Sequence, residues 1–150
     1  MPDSQAARPG PQQQATGLPA LADGTLLGFD FGTRRIGVAL GNTITRQARP
    51  LEILASEPIA PRFARIGALL AEWQPVLLVV GLALDTDGGE QEATRRCRRF
   101  ANQLHGRFRL PVILQDERHS SLEAQALQAR HAPDDALAAA VILQRYLDAH

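Results

Sequence analysis

Lysine is absent from the 150 residues; all sixteen basic residues are arginine, balanced by sixteen acids to a formal net charge of zero. Arginine suits bidentate phosphate contacts, but a lysine-free chain follows more simply from a GC-rich genome. Zero net charge argues against a broad electrostatic nucleic-acid footprint over the whole molecule. A single cysteine, Cys97, excludes an internal disulfide framework and a cysteine-based zinc cluster. The longest apolar runs, around residues 76–83 and 136–143, are too short to cross a bilayer. The opening Met1-Pro2-Asp3-Ser4-Gln5 lacks the basic and apolar regions of a signal peptide, so the cytoplasm is the expected compartment.

What is there is ordinary for a globular domain: 45% hydrophobic and 21% charged residues, on a chain long enough for one sizeable core. Residues 1–24 are rich in Pro, Gln, Ala and Gly without a sustained apolar period, which predicts a disordered N-terminal extension. Residues 25–150 are expected to form the domain. Strands are expected at 26–31 and 35–40, joined by Gly32-Thr33-Arg34, and at 51–54 after Pro50. Residues 61–73 carry Phe63, Ile66, Leu69, Leu70 and Trp73 at helical spacing. The continuous apolar run 76–82 reads as a buried parallel strand. An amphipathic helix over 91–104, a strand over 111–115, a helix over 122–129 capped by Ser120 and Glu123, and an alanine-rich last helix follow. Three successive strands followed by strands reached through helical crossovers predict a mixed α/β sheet with helices on its faces.

Three acids stand in settings that present a carboxylate. Asp30 interrupts an apolar strand, Glu117 follows the apolar run Val112-Ile113-Leu114-Gln115, and Asp135 opens the last helix. An acid within an apolar strand costs folding energy unless it is paired or binds a cation. Three that converge would make the oxygen-only cage that hard divalent ions prefer, which points to metal-assisted phosphoryl chemistry.

Each has a plainer explanation. Asp30 could be an edge-strand acid paired to Arg34 or Arg35, and Asp116-Glu117-Arg118 a solvated loop. Taken alone, Asp135 reads first as a helix cap, with Asp134 beside it as a competitor. Arg95, Arg96, Arg98 and Arg99 read more simply as a salt-bridged surface with Glu92 than as a phosphate-tracking face. His105, His119 and His131 lack the spacing of a zinc site, and Trp73 is expected in the core.

The ordered set Gly28-Phe29-Asp30-Phe31-Gly32-Thr33-Arg34-Arg35-Ile36-Gly37-Val38-Ala39, Val79-Val80-Gly81-Leu82, Asp87-Gly88, Asp116-Glu117-Arg118 and Ile142-Leu143-Gln144-Arg145-Tyr146-Leu147 resembles the YqgF family. Its members are Holliday-junction-resolvase-like proteins also described as pre-16S rRNA nucleases. The resemblance spans residues 26–148. It implies a ribonuclease-H-like mixed five-stranded sheet flanked by helices, and a cytoplasmic nuclease using Mg²⁺ or Mn²⁺. It also implies Asp30, Glu117 and Asp135 as catalytic metal ligands, reversing the capping interpretation of Asp135. Arg118 and Arg34 are the residues expected on substrate phosphate. The chain departs from the family pattern at Gly41-Asn42 (usually Ser-Asp), at Ala83 (usually Pro) and at His119-Ser120-Ser121. Asn42 thus removes a possible auxiliary carboxylate.

The expected function is metal-dependent processing of the 5′ end of precursor 16S rRNA in ribosome biogenesis. The ribosomal subunit is a possible partner, and the protein is expected to be a monomer or homodimer. The alternatives are a branched-DNA (Holliday junction) resolvase and a noncatalytic RNA- or ribosome-binding module. An actin-like phosphotransferase, suggested by Asp30-Phe31-Gly32-Thr33, would need a second lobe for which 150 residues leave no room.

Overall fold

The computed structural model describes residues 23–83, 90–116 and 135–150. The extension expected at the N-terminus up to residue 22, residues 84–89 and the helix expected over 122–129 lie outside the described residues, as do Glu117, Arg118, His119, His131 and Asp134.

Five strands, β1 (Thr25–Phe31), β2 (Arg35–Asn42), β3 (Gln47–Ala55), β4 (Leu77–Leu82) and β5 (Val112–Asp116), form one sheet in the order β3-β2-β1-β4-β5. The first three make an antiparallel meander, while β4 and β5 run parallel to β1. The crossover helices are α1 (Ile59–Trp73) and α2 (Glu92–Phe108), and the final described helix is α3 (Asp135–Ala149). The mixed sheet expected from the order of elements is present. Asp30 is not on an edge strand, however: β1 is the middle strand, bonded on both sides.

Boundaries moved for local reasons. α1 begins at Ile59, two residues before Pro61, because a proline in the first helical turn gives up only an N–H that has no intrahelical acceptor. β3 extends through Pro50 because it is an edge strand and its register shifts there, opposite Val38 and Ala39. α2 runs on to Phe108 and ends where Arg109 turns left-handed (φ 60°), its N–H donating to the His105 carbonyl. His105 Nδ1 lies 3.0 Å from the Leu110 carbonyl oxygen, a structural role in place of a metal one.

Strand alternation divides the core in two. Leu27, Phe29, Val38 and Val80 pack beneath α1 and α2 with Phe63, Ile66 and Phe100, while Leu26, Ala39, Leu77 and Val79 pack beneath α3 with Ala139, Leu143 and Tyr146. Trp73 sits at the rim of the first cluster, only partly buried, with the Arg49 guanidinium 6.0 Å from its ring centroid. No described helix is long and apolar enough to cross a membrane.

Candidate functional site

The α3 face of β1 carries Leu26, Gly28 and Asp30, and the residues opposite them on β2 are Gly41, Ala39 and Gly37. Small side chains at every second position of β2 leave a shallow floor on which the alanine-rich helix lies close. At Gly37 a Cβ would stand 1.8 Å from the Asp135 carbonyl oxygen; at Gly41 it would stand 2.8 Å from Leu143 Cδ2. The first turn of α3 is therefore pressed against the strand pair that holds Asp30. Local sequence thus sets the distance between an acid on β1 and an acid more than a hundred residues later.

Asp30 is partly buried, and no hydrogen-bond donor or cation reaches its carboxylate among the described residues. Burial, and then the negative charge of Asp135, push its pKa up to about 6 from 3.8. The proposed pairing with Arg34 or Arg35 is absent. Arg35 Nε instead donates to Asp135 Oδ2 at 2.9 Å, in a pair that is largely solvent-exposed on the arginine side. Arg34 is exposed in the turn after β1, where its carbonyl accepts a hydrogen bond from Ser56 N–H at 2.9 Å. The same turn is closed by Gly32 N–H donating to the Arg35 carbonyl (2.9 Å) and Ser56 Oγ donating to the Gly32 carbonyl (2.6 Å).

β4 and β5 run parallel to β1, so their C-terminal ends share its edge of the sheet; β5 stops at Asp116, alongside Leu82. Cys97 on α2 is buried, and desolvation raises its thiol pKa, with a smaller contribution from the Asp30 charge. Asn42 lies elsewhere. It pairs with Thr25 at the opposite end of β1, five residues from Asp30 or about 17 Å of strand, and its Oδ1 accepts from Ile44 N–H at 2.7 Å. An acid there would be remote from Asp30, so the substitution removes nothing from this site.

The arginines of α2 resolve mostly as the plainer reading had them. Glu92 pairs with Arg95 (3.1 Å) and Arg96 (3.5 Å), and Glu90 pairs with Arg98 (2.5 Å). Two positions escaped the sequence reading: Arg35 as the partner of Asp135, and Gly37 as the seat of α3. The alternation Gly37-Val38-Ala39-Leu40-Gly41 was the available signal for the second.

Among the described residues no three His, Cys, Asp or Glu side chains are grouped to hold a metal. Two carboxylates whose charges oppose each other, one of them unpartnered and desolvated, nevertheless fit a hard cation: all donors are oxygen, and a bound positive charge would relieve both the repulsion and the desolvation.

The sequence profile described as "RuvX: Holliday junction resolvase" matches residues 24–149. A relative from Bordetella petrii named "Putative pre-16S rRNA nuclease" is 71% identical over 125 residues, covering 83% of this chain and 95% of its own. One of the same name from Paraburkholderia phytofirmans is 52% identical over 135 residues, covering 87% and 92%. Among solved structures, Thermus thermophilus RuvC in complex with a Holliday junction substrate matches with a TM-score of 0.51 at 18% identity, over 83% of this chain and 94% of that one. That likeness establishes the ribonuclease-H-like fold of RuvC. With a profile match over nearly the whole described domain and relatives this similar, the chain belongs to the RuvX Holliday junction resolvase family.

Proposed function

We propose that the protein is a divalent-cation-dependent nuclease that processes the 5′ end of precursor 16S rRNA in the cytoplasm, on or near the ribosomal subunit. The observation that carries this reading is the partly buried Asp30 carboxylate on the central strand, unpartnered among the described residues and set against Asp135 at the start of α3. Relatives named as pre-16S rRNA nucleases supply the substrate class.

Asp30 and Asp135 are the cation ligands in this reading, and Glu117 the third. β5 alternates: Val112 and Leu114 pack toward α1 and α2, Ile113 toward α3. Continuing that alternation past Asp116 by one residue would bring Glu117 to the Asp30 face. A bound Mg²⁺ or Mn²⁺ supplies Lewis acidity toward the phosphoryl oxygen and the attacking water. Asp30 must be ionised to act as a ligand, and a pKa of about 6 leaves it mostly so at neutral pH. Arg35 orients Asp135 and balances its charge. In this reading Arg34, in the turn beside Asp30, and Arg118 contact substrate phosphate.

The test is incubation of purified protein with precursor 16S rRNA, with Mg²⁺, Mn²⁺ or EDTA, beside Asp30→Asn. Cation-dependent cleavage at the 5′ end of the mature sequence, lost in the variant by at least about a hundredfold, is the expected result. Equal cleavage in wild type and variant, or in EDTA, would overturn the reading. The family description favours a second substrate, the four-way DNA junction. Its two-fold symmetry demands a dimer with paired sites, so preferential junction cleavage by a dimeric species would favour it.

A further inference from the structure

On the other face of β1, one residue beyond Asp30, Phe31 borders a cleft of about 330 Å³ whose charged lining is Arg62, Arg96, Arg99 and Glu57. Arg62 is unusual there. It is only 7% exposed, yet no carboxylate lies within salt-bridge distance of it among the described residues. Its Nη1 donates to the Ser56 carbonyl and its Nη2 to Gln103 Oε1, both at 3.1 Å, while its buried Nε has no hydrogen-bond partner. Phe31, Phe63 and Phe100 surround the guanidinium at 5.1, 4.8 and 5.4 Å. Ring faces offset part of the cost of burying a cation, but they do not neutralise it.

Most of the other charged groups near Arg62 are also arginines. Glu57 attracts Arg62 and Arg107 repels it, with burial the dominant influence lowering the pKa of Arg62. Arg96 is partly satisfied by Glu92 at 3.5 Å, and Arg99 has no salt bridge among the described residues. Among the described residues three guanidinium groups thus line the cleft with one carboxylate, Glu57.

We propose that this cleft is a second nucleic-acid contact, in which Arg62, Arg96 and Arg99 hold successive backbone phosphates of the RNA strand away from the bond that is cut. The identity of that strand rests on the nuclease reading; the anion chemistry does not. Asp30 and Phe31 are adjacent and point to opposite faces of one strand end. A strand crossing the C-terminal edge of the sheet therefore meets the acids on one side and the arginines on the other. Such a contact would fix which stretch of the strand lies at Asp30, giving positional selection without base recognition.

The experiment measures binding of a short single-stranded RNA oligonucleotide in EDTA, by fluorescence anisotropy over a series of salt concentrations. The variants are Arg96→Gln/Arg99→Gln and, with equal charge change on paired surface arginines, Arg65→Gln/Arg98→Gln. Arg62 is left intact because its removal would disturb the aromatic core. Loss of two phosphate contacts should flatten the log–log salt dependence by about 1.4 and weaken binding about tenfold at low salt. The control pair should stay near wild type. Equal effects of the two double variants, or no RNA binding by the wild type, would overturn the cleft proposal. Asp30→Asn that cleaves normally would instead remove the nuclease reading, leaving this result to be judged separately.

Discussion

Gly37 lies directly beneath the first turn of α3, so close that a Cβ would stand 1.8 Å from the Asp135 carbonyl oxygen and 2.8 Å from the Ala136 nitrogen. Both neighbours are backbone and cannot rotate away. Since Gly37 is also the register partner of Asp30, it fixes the approach of the two acids. Gly37→Ala must lift α3 or bend β2. The expected cost is about 3 kcal/mol, the upper end of ordinary overpacking, or a fall in melting temperature of roughly 10 °C. Cleavage should fall further than stability accounts for, because the displaced end of α3 carries Asp135. Thermal denaturation and cleavage measured well below the new melting temperature separate the two effects; unchanged melting would show that α3 does not depend on this contact.

The elements were legible because their patterns are strong: the run 76–82 reads as a buried strand, and Phe63, Ile66, Leu69 and Leu70 as one face of a helix. Asp30 was legible as an acid out of place. What could not be read was which cation stands where. Arg34 and Arg35 are adjacent in sequence, and only the seating of α3 over Gly37 decides that Arg35 meets Asp135. The position of Asn42 was not legible for a similar reason. Adjacency to a strand says nothing of which end of the sheet it occupies until the hairpin register pairs Asn42 with Thr25. Arg62 gave no signal, since an arginine on a helix is ordinarily solvated.

Residues 1–22 should be removable without loss of stability. Asp23 Oδ1 accepts from Thr43 Oγ1 at 3.3 Å, and Gly24 N–H donates to the same hydroxyl at 2.9 Å. The Gly24 carbonyl also accepts from Thr43 N–H at 3.0 Å. Deleting 1–22 should leave the melting temperature within a degree or two of the full chain, whereas deleting 1–24 should lower it by removing these three bonds, each contributing about 1 kcal/mol. Equal melting of both truncations would show the bonds to be idle.

Asn42→Asp should leave cleavage and cation affinity unchanged, since the side chain sits at the far end of β1 from Asp30 and accepts a hydrogen bond that an aspartate can also accept. Cleavage rates at several Mn²⁺ concentrations check this. A variant with a lowered cation requirement would mean that the acid does reach the site.

The last prediction uses the pH dependence of Asp30. Its carboxyl pKa is raised to about 6 in the fold by burial and by Asp135, against an ordinary value of 3.8. Between these two values the folded protein holds more proton than the unfolded chain. The contribution of this group to stability is therefore fully present below about pH 4 and lost as pH rises through about 6. At neutral pH the loss is on the order of 2 kcal/mol, allowing for its partial exposure. Asp30→Asn has no such charge to bury. In EDTA its melting temperature should match wild type most nearly at pH 4, then exceed it by a margin that grows to about pH 6 and stays level above. Adding Mg²⁺ or Mn²⁺ at neutral pH should raise the melting temperature of the wild type and not of the variant, because a ligand that binds only the folded state stabilises it. The same cation should lose its effect on the wild type as pH falls through about 6, where proton and cation compete for one carboxylate. A variant no more stable than wild type at neutral pH, measured in EDTA by thermal denaturation from pH 4 to 8, would show that Asp30 is held by a partner and is not a vacant cation ligand.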